Sequence, residues 1–318
     1  MNILVTGGAG YIGAELVYRL AQQEDVTKVV VYDNLTRDLY NLFISHSHRI
    51  GNTKVKFEFG DILDSRKLRK VLKDIDVVYH LAARVDTPYS NVDSHVFEQV
   101  NNWGTAELVY AVEENKKISK FIYLSSAAVY GSSKKLVDEN TAPNPRTFYG
   151  ISKMRGEEHV KRLMNKLETI IVRCGNVYGY TPCIRFDSVI NRFMFDANFN
   201  NRISIHGTGK QSRSFISVDK AVNSLLEVKK RKVASDIYNL LDFNMEILDL
   251  VDLMKEIYPE LEFIFINQHL ELRELKINPQ TKLNEIFPLA KTDFKEELIA
   301  FKEHFAFSSP AGVPVVSK

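Results

Sequence analysis

Short apolar runs recur along the first half of the chain, each followed by a turn of small or polar residues and then by positions that turn apolar every three or four residues. The runs are Ile3-Leu4-Val5, Lys28-Val29-Val30-Val31-Tyr32, Val55-Lys56-Phe57-Glu58-Phe59, Val77-Val78-Tyr79-His80, Phe121-Ile122-Tyr123-Leu124 and Thr169-Ile170-Ile171-Val172. Runs this short and this rich in β-branched residues predict strands buried on both faces. Helical periodicity fills the gaps, most clearly from Ala14 to Leu20, Val92 to Asn115 and Tyr149 to Leu167. Strands and helices that alternate in this way predict an α/β fold, a doubly wound parallel sheet whose ligands sit at the carboxyl ends of the strands.

Beyond Val172 the alternation weakens. The chain reads as irregular from Cys174-Gly175-Asn176-Val177-Tyr178-Gly179 through Ile203-Ser204-Ile205-His206-Gly207 to Arg213-Ser214-Phe215-Ile216. A helix from Val218 to Lys229 and a strand over Asp236–Leu240 are expected to return to the main sheet. A helix from Ile247 to Ile257, a strand from Leu261 to Ile266 and a helix near Phe294 to Phe305 are expected to form a smaller lobe. The expected division is a dinucleotide-binding domain over 1–175, rejoined by 215–243, and a substrate-binding lobe over 176–214 and 244–306. The remaining 307–318, rich in Ser, Pro and Gly, is expected to be disordered.

The turn after the first strand, Thr6-Gly7-Gly8-Ala9-Gly10-Tyr11-Ile12-Gly13, leads directly into helical periodicity. Gly7 allows the tight bend, Gly10 lets a pyrophosphate approach bare backbone, and Gly13 lets the helix pack closely on the strand. The helix start, with Tyr11 and Ile12, then offers free N–H groups to an anion. Asp33, with Asn34 beside it, closes the second strand; a carboxylate there accepts ribose hydroxyls and repels a ribose phosphate, which predicts NAD rather than NADP. Arg37 is the nearby cation that would reverse that preference. Asp61 and Ile62 follow the third strand as candidates for the adenine end. Leu81-Ala82-Ala83 after His80 are small enough for a dinucleotide to lie against backbone. Asn101, a polar residue in an otherwise apolar helix, is expected to be buried and to tie neighbouring strand ends together.

Composition narrows the picture. The 318 residues carry a formal net charge of +2, so no global field points to nucleic acid or to an anionic membrane. Lys229-Lys230-Arg231-Lys232 closes a helical stretch, where cations complement the backbone dipole. Two cysteines, Cys174 and Cys183, make no disulfide framework, and no spacing of Cys or His suggests a metal site; His46 and His48 read as surface residues. Met1 stands one residue before the first strand and no apolar run reaches spanning length, which predicts a cytoplasmic protein.

Ser125-Ser126-Ala127-Ala128-Val129-Tyr130-Gly131 follows the fifth strand, and Tyr149-Gly150-Ile151-Ser152-Lys153 opens the next long helix. The four-residue spacing puts Tyr149 and Lys153 on one helix face. A phenol that normally titrates near ~10 is a poor base in neutral water. An ammonium and an oxidised nicotinamide beside it both favour the phenolate. Ser126 would share a hydrogen bond with a substrate hydroxyl while Tyr149 takes its proton and hydride leaves the same carbon.

These segments, together with His80-Leu81-Ala82-Ala83, Asn176-Val177-Tyr178-Gly179 and Arg213-Ser214-Phe215-Ile216-Ser217-Val218-Asp219, resemble the extended short-chain dehydrogenase/reductases that act on nucleotide sugars. UDP-galactose 4-epimerase is the best-known member. The resemblance covers most of the chain to about Asp219. It implies that Ser126, Tyr149 and Lys153 are catalytic, that Asn176 and Arg213 meet the diphosphate or sugar nucleotide, and that Arg273 is a further diphosphate-binding arginine. It also implies a homodimer through the helices Val92 to Asn115 and Tyr149 to Leu167. Within the family, the 4,6-dehydratases carry an Asp-Glu pair directly after the hydroxyl residue, where this chain has Ala127 and Ala128. The 3,5-epimerase/reductases that make GDP-fucose use a cysteine in this turn, also absent. The expected activity is therefore NAD-dependent epimerisation by transient oxidation at the sugar C4, with a 4-keto-sugar reductase and a non-catalytic dinucleotide sensor as the alternatives. The segment Tyr180 to Asp187 is shorter than in a typical UDP-hexose 4-epimerase and leaves the sugar open.

Overall fold

Seven strands form one wholly parallel sheet: β1 (Asn2–Thr6), β2 (Lys28–Asp33), β3 (Val55–Phe59), β4 (Val77–His80), β5 (Lys120–Ser126), β6 (Glu168–Cys174) and β10 (Asp236–Leu240). Their order across the sheet, β10-β6-β5-β4-β1-β2-β3, reverses between β1 and β4, and a crevice opens at such a reversal. The computed structural model describes residues 1–44, 54–85, 94–267 and 274–307. The remaining strands are β7 (Asn176–Tyr178), β8 (Arg202–His206), β9 (Ser212–Ser217), β11 (Phe243–Glu246) and β12 (Glu262–Ile266).

Side chains that alternate along each strand feed two cores. Ile3, Val5, Val29 and Val31 pack with the helices Tyr11–Gln22 and Val218–Lys230, which bring Leu16, Leu20, Val222 and Leu225. Leu4, Val30, Phe121 and Tyr123 point the other way, against Leu68, Leu108 and Val112 of the helices Ser65–Leu72 and Gly104–Glu113. A third core, built on Tyr178, Met194, Leu250, Met254 and Leu298, belongs to the smaller lobe.

The structure departs from the expected elements at several points. The helix expected over 92–115 is interrupted. Ser94–Phe97 and Gly104–Glu113 are α-helical, but Glu98–Trp103 between them winds as a π-helix. The wider turn carries the Asn101 amide inward, and the Thr105 hydroxyl donates to the Asn101 carbonyl at 2.7 Å. The helix expected over 149–167 spans Phe148–Lys161, begun by Thr147 Oγ1, which accepts the Gly150 N–H at 3.0 Å. It stops early because the chain turns over 162–166 to enter β6, with Leu163 in that turn buried against the core of Leu108 and Val112.

The stretch expected to be irregular contains the helix Val189–Asn200 and β8. That helix buries Ile190, Phe193, Met194 and Ala197 at helical spacing, a pattern masked by its Asn and Asp residues. The end of that stretch is β9, which pairs with β7 and β11 in a separate three-stranded sheet, while β10 joins the main sheet as expected. The last helix is Phe294–Lys302 and ends three residues before Phe305. His46, His48, Arg273 and the tail 308–318 lie outside the described residues.

Candidate active site

The backbone of the glycine turn leaves no space for side chains at two of its three positions. Gly7 has φ +71°, and a Cβ there would stand 2.5 Å from the Ala82 amide nitrogen. A Cβ on Gly13 would stand 2.2 Å from the Gly7 carbonyl oxygen. At Gly10 an added Cβ would meet only that same carbonyl, at 3.3 Å, so its outer side faces the cavity it lines. No side chain caps the helix Tyr11–Gln22, which leaves its first amides for an anion. A dinucleotide phosphate fits this cradle, because the space a side chain would fill is open and donors converge on it. Asp33 is fixed beside the turn by the amides of Ala9, at 3.0 Å, and Leu35, at 2.8 Å. Arg37 reaches toward Asp187 across the cleft, at 3.5 Å, rather than toward Asp33.

A cavity of about 1470 Å³ runs from this turn over the carboxyl ends of the strands. Tyr11, Ile12, Asn34 and Ile62 line it at the glycine-turn end, and Leu81, Ala82 and Ala83 line it beside β4. Asp61 does not. Its carboxylate takes the Asn34 amide and the Leu63 N–H, both at 2.9 Å, and so shapes the loop behind the site. Asn101 is also outside the cavity wall and 1 % exposed. Its Oδ1 accepts the Arg84 N–H at 2.8 Å, and its Nδ2 donates to the Arg84 carbonyl and to Ser152 Oγ. The π-helix therefore clamps the segment after β4 to the helix that carries Tyr149.

Ser126, Tyr149 and Lys153 line the same cavity. Ser126 ends β5, and its Oγ accepts the Ala128 N–H at 3.2 Å. Lys153 is fully buried; its Nζ donates to the Leu124 carbonyl at 2.7 Å and lies 4.1 Å over the Tyr123 ring. Burial pushes its ammonium down to about 7, and the Glu157 carboxylate pulls the other way. His80, stacked on Tyr123 at 5.2 Å, is held well below its ordinary range by burial and by the Lys153 charge. Thr105 already donates to Asn101, so it accepts from His80 Nε2, and Thr6 donates to Nδ1. His80 is a neutral strut under the site.

On the far side Asn176 and Arg213 line the cavity, with the Asn176 amide donating to the Ser214 carbonyl at 3.0 Å. Sequence reasoning missed Arg185 and Arg192 on the same wall. Arg185 donates to Asp187 at 2.5 Å, and Arg192 pairs with Asp196 at 2.7 Å. The spacing of Arg192 to the apolar face of its helix was the available signal, lost once that helix was read as loop. Cys183 is wholly buried, outside the cavity wall, its thiol raised by that burial. Among the described residues no cluster of His, Cys, Asp or Glu could hold a metal ion.

With this geometry in place, comparison with known proteins is decisive about kinship. A model of the NAD dependent epimerase/dehydratase family matches residues 3–240. The chain belongs to that family. NAD, the cofactor expected from Asp33, is the cofactor of the family. The chain is 35% identical over 272 residues to the dTDP-D-glucose 4,6-dehydratase of Bos taurus, covering 82% of this chain and 75% of that one. It is 30% identical over 233 residues to the uncharacterized UDP-glucose epimerase YtcB of Bacillus subtilis, covering 72% of each. Among solved structures it resembles the UDP-glucuronic acid 4-epimerase of Bacillus cereus in complex with UDP-glucuronic acid and NAD. That match has a TM-score of 0.85 and 26% identity, and covers 95% of this chain and 98% of the other.

Proposed function

We propose that this member of the family is an NAD-dependent nucleotide-sugar epimerase that works by transient oxidation of the sugar at C4. The observation that carries the reading is that Ser126, Tyr149 and Lys153 line one cavity, with Ser126 followed by Ala127 and Ala128 rather than by acids. Both alanines are buried, at 5% and 4% exposure, so the turn after Ser126 offers no group that could move a proton at the sugar C5 or C6. Relatives named as 4,6-dehydratases favour elimination on identity; these two positions favour epimerisation on chemistry.

In the proposed reaction NAD, when bound, accepts a hydride from the carbinol carbon and returns it. Gly10 would leave room for its pyrophosphate in the turn that Gly7 and Gly13 let close, and Asp33 would meet its adenosine ribose. The Tyr149 phenolate takes the hydroxyl proton, Ser126 orients that hydroxyl by a hydrogen bond, and the charge of Lys153 favours the phenolate. Asn176 and Arg213, with Arg185 nearby, hold the diphosphate while the keto sugar turns over and receives hydride on its other face; a guanidinium binds phosphate oxygens through a planar fork. The cavity, at about 1470 Å³, exceeds the ~300–1,000 Å³ of ordinary ligand pockets, as one that houses cofactor and substrate together must. A homodimer through the helical segments 92–115 and 149–167 belongs to the same reading; on the first of these Trp103 and Tyr110 are 60% and 37% exposed.

The test is purified protein with UDP-glucuronic acid, UDP-glucose and dTDP-glucose in turn. An epimerase carries nicotinamide through gel filtration and interconverts one of these with its 4-epimer with no cofactor added. A product lighter by one water refutes the proposal in favour of a dehydratase. A requirement for stoichiometric reduced cofactor with a 4-keto sugar refutes it in favour of a reductase.

A further inference from the structure

A cluster of buried charge lies behind the catalytic helix, outside the cavity wall. Glu157, one turn beyond Lys153, and Arg173, near the end of β6, form an ion pair whose side chains are each 1% exposed. Arg173 donates from Nε to Glu157 Oε1 at 3.0 Å and from Nη2 to Oε2 at 2.7 Å. Ser125 Oγ donates to the same Oε1 at 2.6 Å. The guanidinium lies 4.8 Å over the Tyr130 ring, and the Tyr130 hydroxyl donates to Asn239 at 2.8 Å. A buried pair of this kind is costly to desolvate, and apolar replacements of the same volume are often as stable. Stability alone therefore does not account for charge at this place.

What the pair touches accounts for it better. Ser125 stands between Leu124, whose carbonyl receives the Lys153 ammonium, and Ser126. The Lys153 ammonium lies over the Tyr123 ring of β5, on which the neutral His80 of β4 stacks; on its own helix Tyr149 precedes and Glu157 follows it by one turn, with Arg173 of β6 behind Glu157. Of these, Glu157 brings the negative charge that opposes the loss of the Lys153 proton to burial. Arg173, bound to both carboxylate oxygens through Nε and Nη2, fixes where that charge sits.

We propose that Glu157 is a positioning residue for the catalytic reaction: held by Arg173 and hydrogen-bonded to Ser125, it fixes the strand end that carries Ser126 and sets a carboxylate one helical turn from Lys153. The inference rests on the catalytic reading of Ser126, Tyr149 and Lys153. Glu157→Gln leaves the Arg173 guanidinium buried without its partner and can fail to fold. The double variant Glu157→Gln with Arg173→Met removes both charges and keeps the volume.

The measurement is the titration midpoint of Lys153 in NAD-bound protein, read from the resonance of a ¹³C-labelled lysine side chain and assigned by Lys153→Met. In the double variant the midpoint falls by about one pH unit or more, a tenfold loss of ammonium at a given pH above it. The alkaline limb of the turnover profile falls with it, while KM for the sugar nucleotide stays within about twofold. A folded double variant with an unchanged Lys153 midpoint overturns the proposal. The midpoint needs no sugar nucleotide, so a wild-type protein that turns over none refutes the epimerase reading separately.

Discussion

Replacement of Lys153 by Met should make the protein's stability less dependent on pH, in a direction the structure dictates. The folded-state value of the Lys153 ammonium is depressed, because the side chain is 1% exposed, from 10.5 to about 7. Between those two values the unfolded chain holds the proton and the folded chain does not, so wild-type stability rises with pH across that window. Below about 7 the folded protein carries a buried charge and the cost is complete; above 10.5 both states are neutral and it vanishes. At ~1.4 kcal/mol per pH unit the upper bound is roughly 5 kcal/mol, and relaxation around a buried ammonium brings the expected value to roughly 2–4 kcal/mol. Met fills the same volume with no charge, at the fixed expense of the hydrogen bond to the Leu124 carbonyl. The assay is urea unfolding of NAD-stripped wild type and variant at pH 7 and pH 10, since bound ligand would add its own stabilisation. The variant should gain on wild type by that amount on going from pH 10 to pH 7. An identical difference at both pH values would refute the reasoning.

Tyr149→Phe should lower turnover by about 10²–10⁴-fold with NAD content unchanged, because only the proton acceptor is lost; undiminished turnover with a substrate of the wild type would revive the non-catalytic sensor. Gly7→Ala places a Cβ 2.5 Å from the Ala82 backbone at φ +71°. The left-handed conformation costs about 1–2 kcal/mol and the overpacking about 1–3 kcal/mol, so urea unfolding should show a loss of roughly 2–5 kcal/mol together with loss of NAD. Trp103→Glu should convert a homodimer to monomer in light scattering; a wild type that is already monomeric contradicts the proposed interface.

The sequence alone determined the doubly wound sheet, its first six strands in order, and the residues of the glycine turn. Those features depend on local causes: β-branched runs of strand length, and a turn whose tight bend and close packing only glycine permits. Tyr149 and Lys153 were legible for the same reason, since four residues is one turn of helix. The tertiary structure decided what depends on partners distant in the chain. It wound Glu98–Trp103 as a π-helix, a register set by where Asn101 meets Arg84 and Ser152 rather than by the local apolar pattern. It paired β9 with β7 and β11 in a sheet of their own, where the sequence reads as irregular. It made a helix of Val189–Asn200, whose Asn and Asp side chains look loop-like until Phe193 and Met194 find the small-lobe core. It brought Arg185 and Arg192 to the cavity wall and set Glu157 against Arg173 behind Lys153. Desolvation gives those charges their effect, and burial is a property of the packed molecule that no stretch of chain carries by itself.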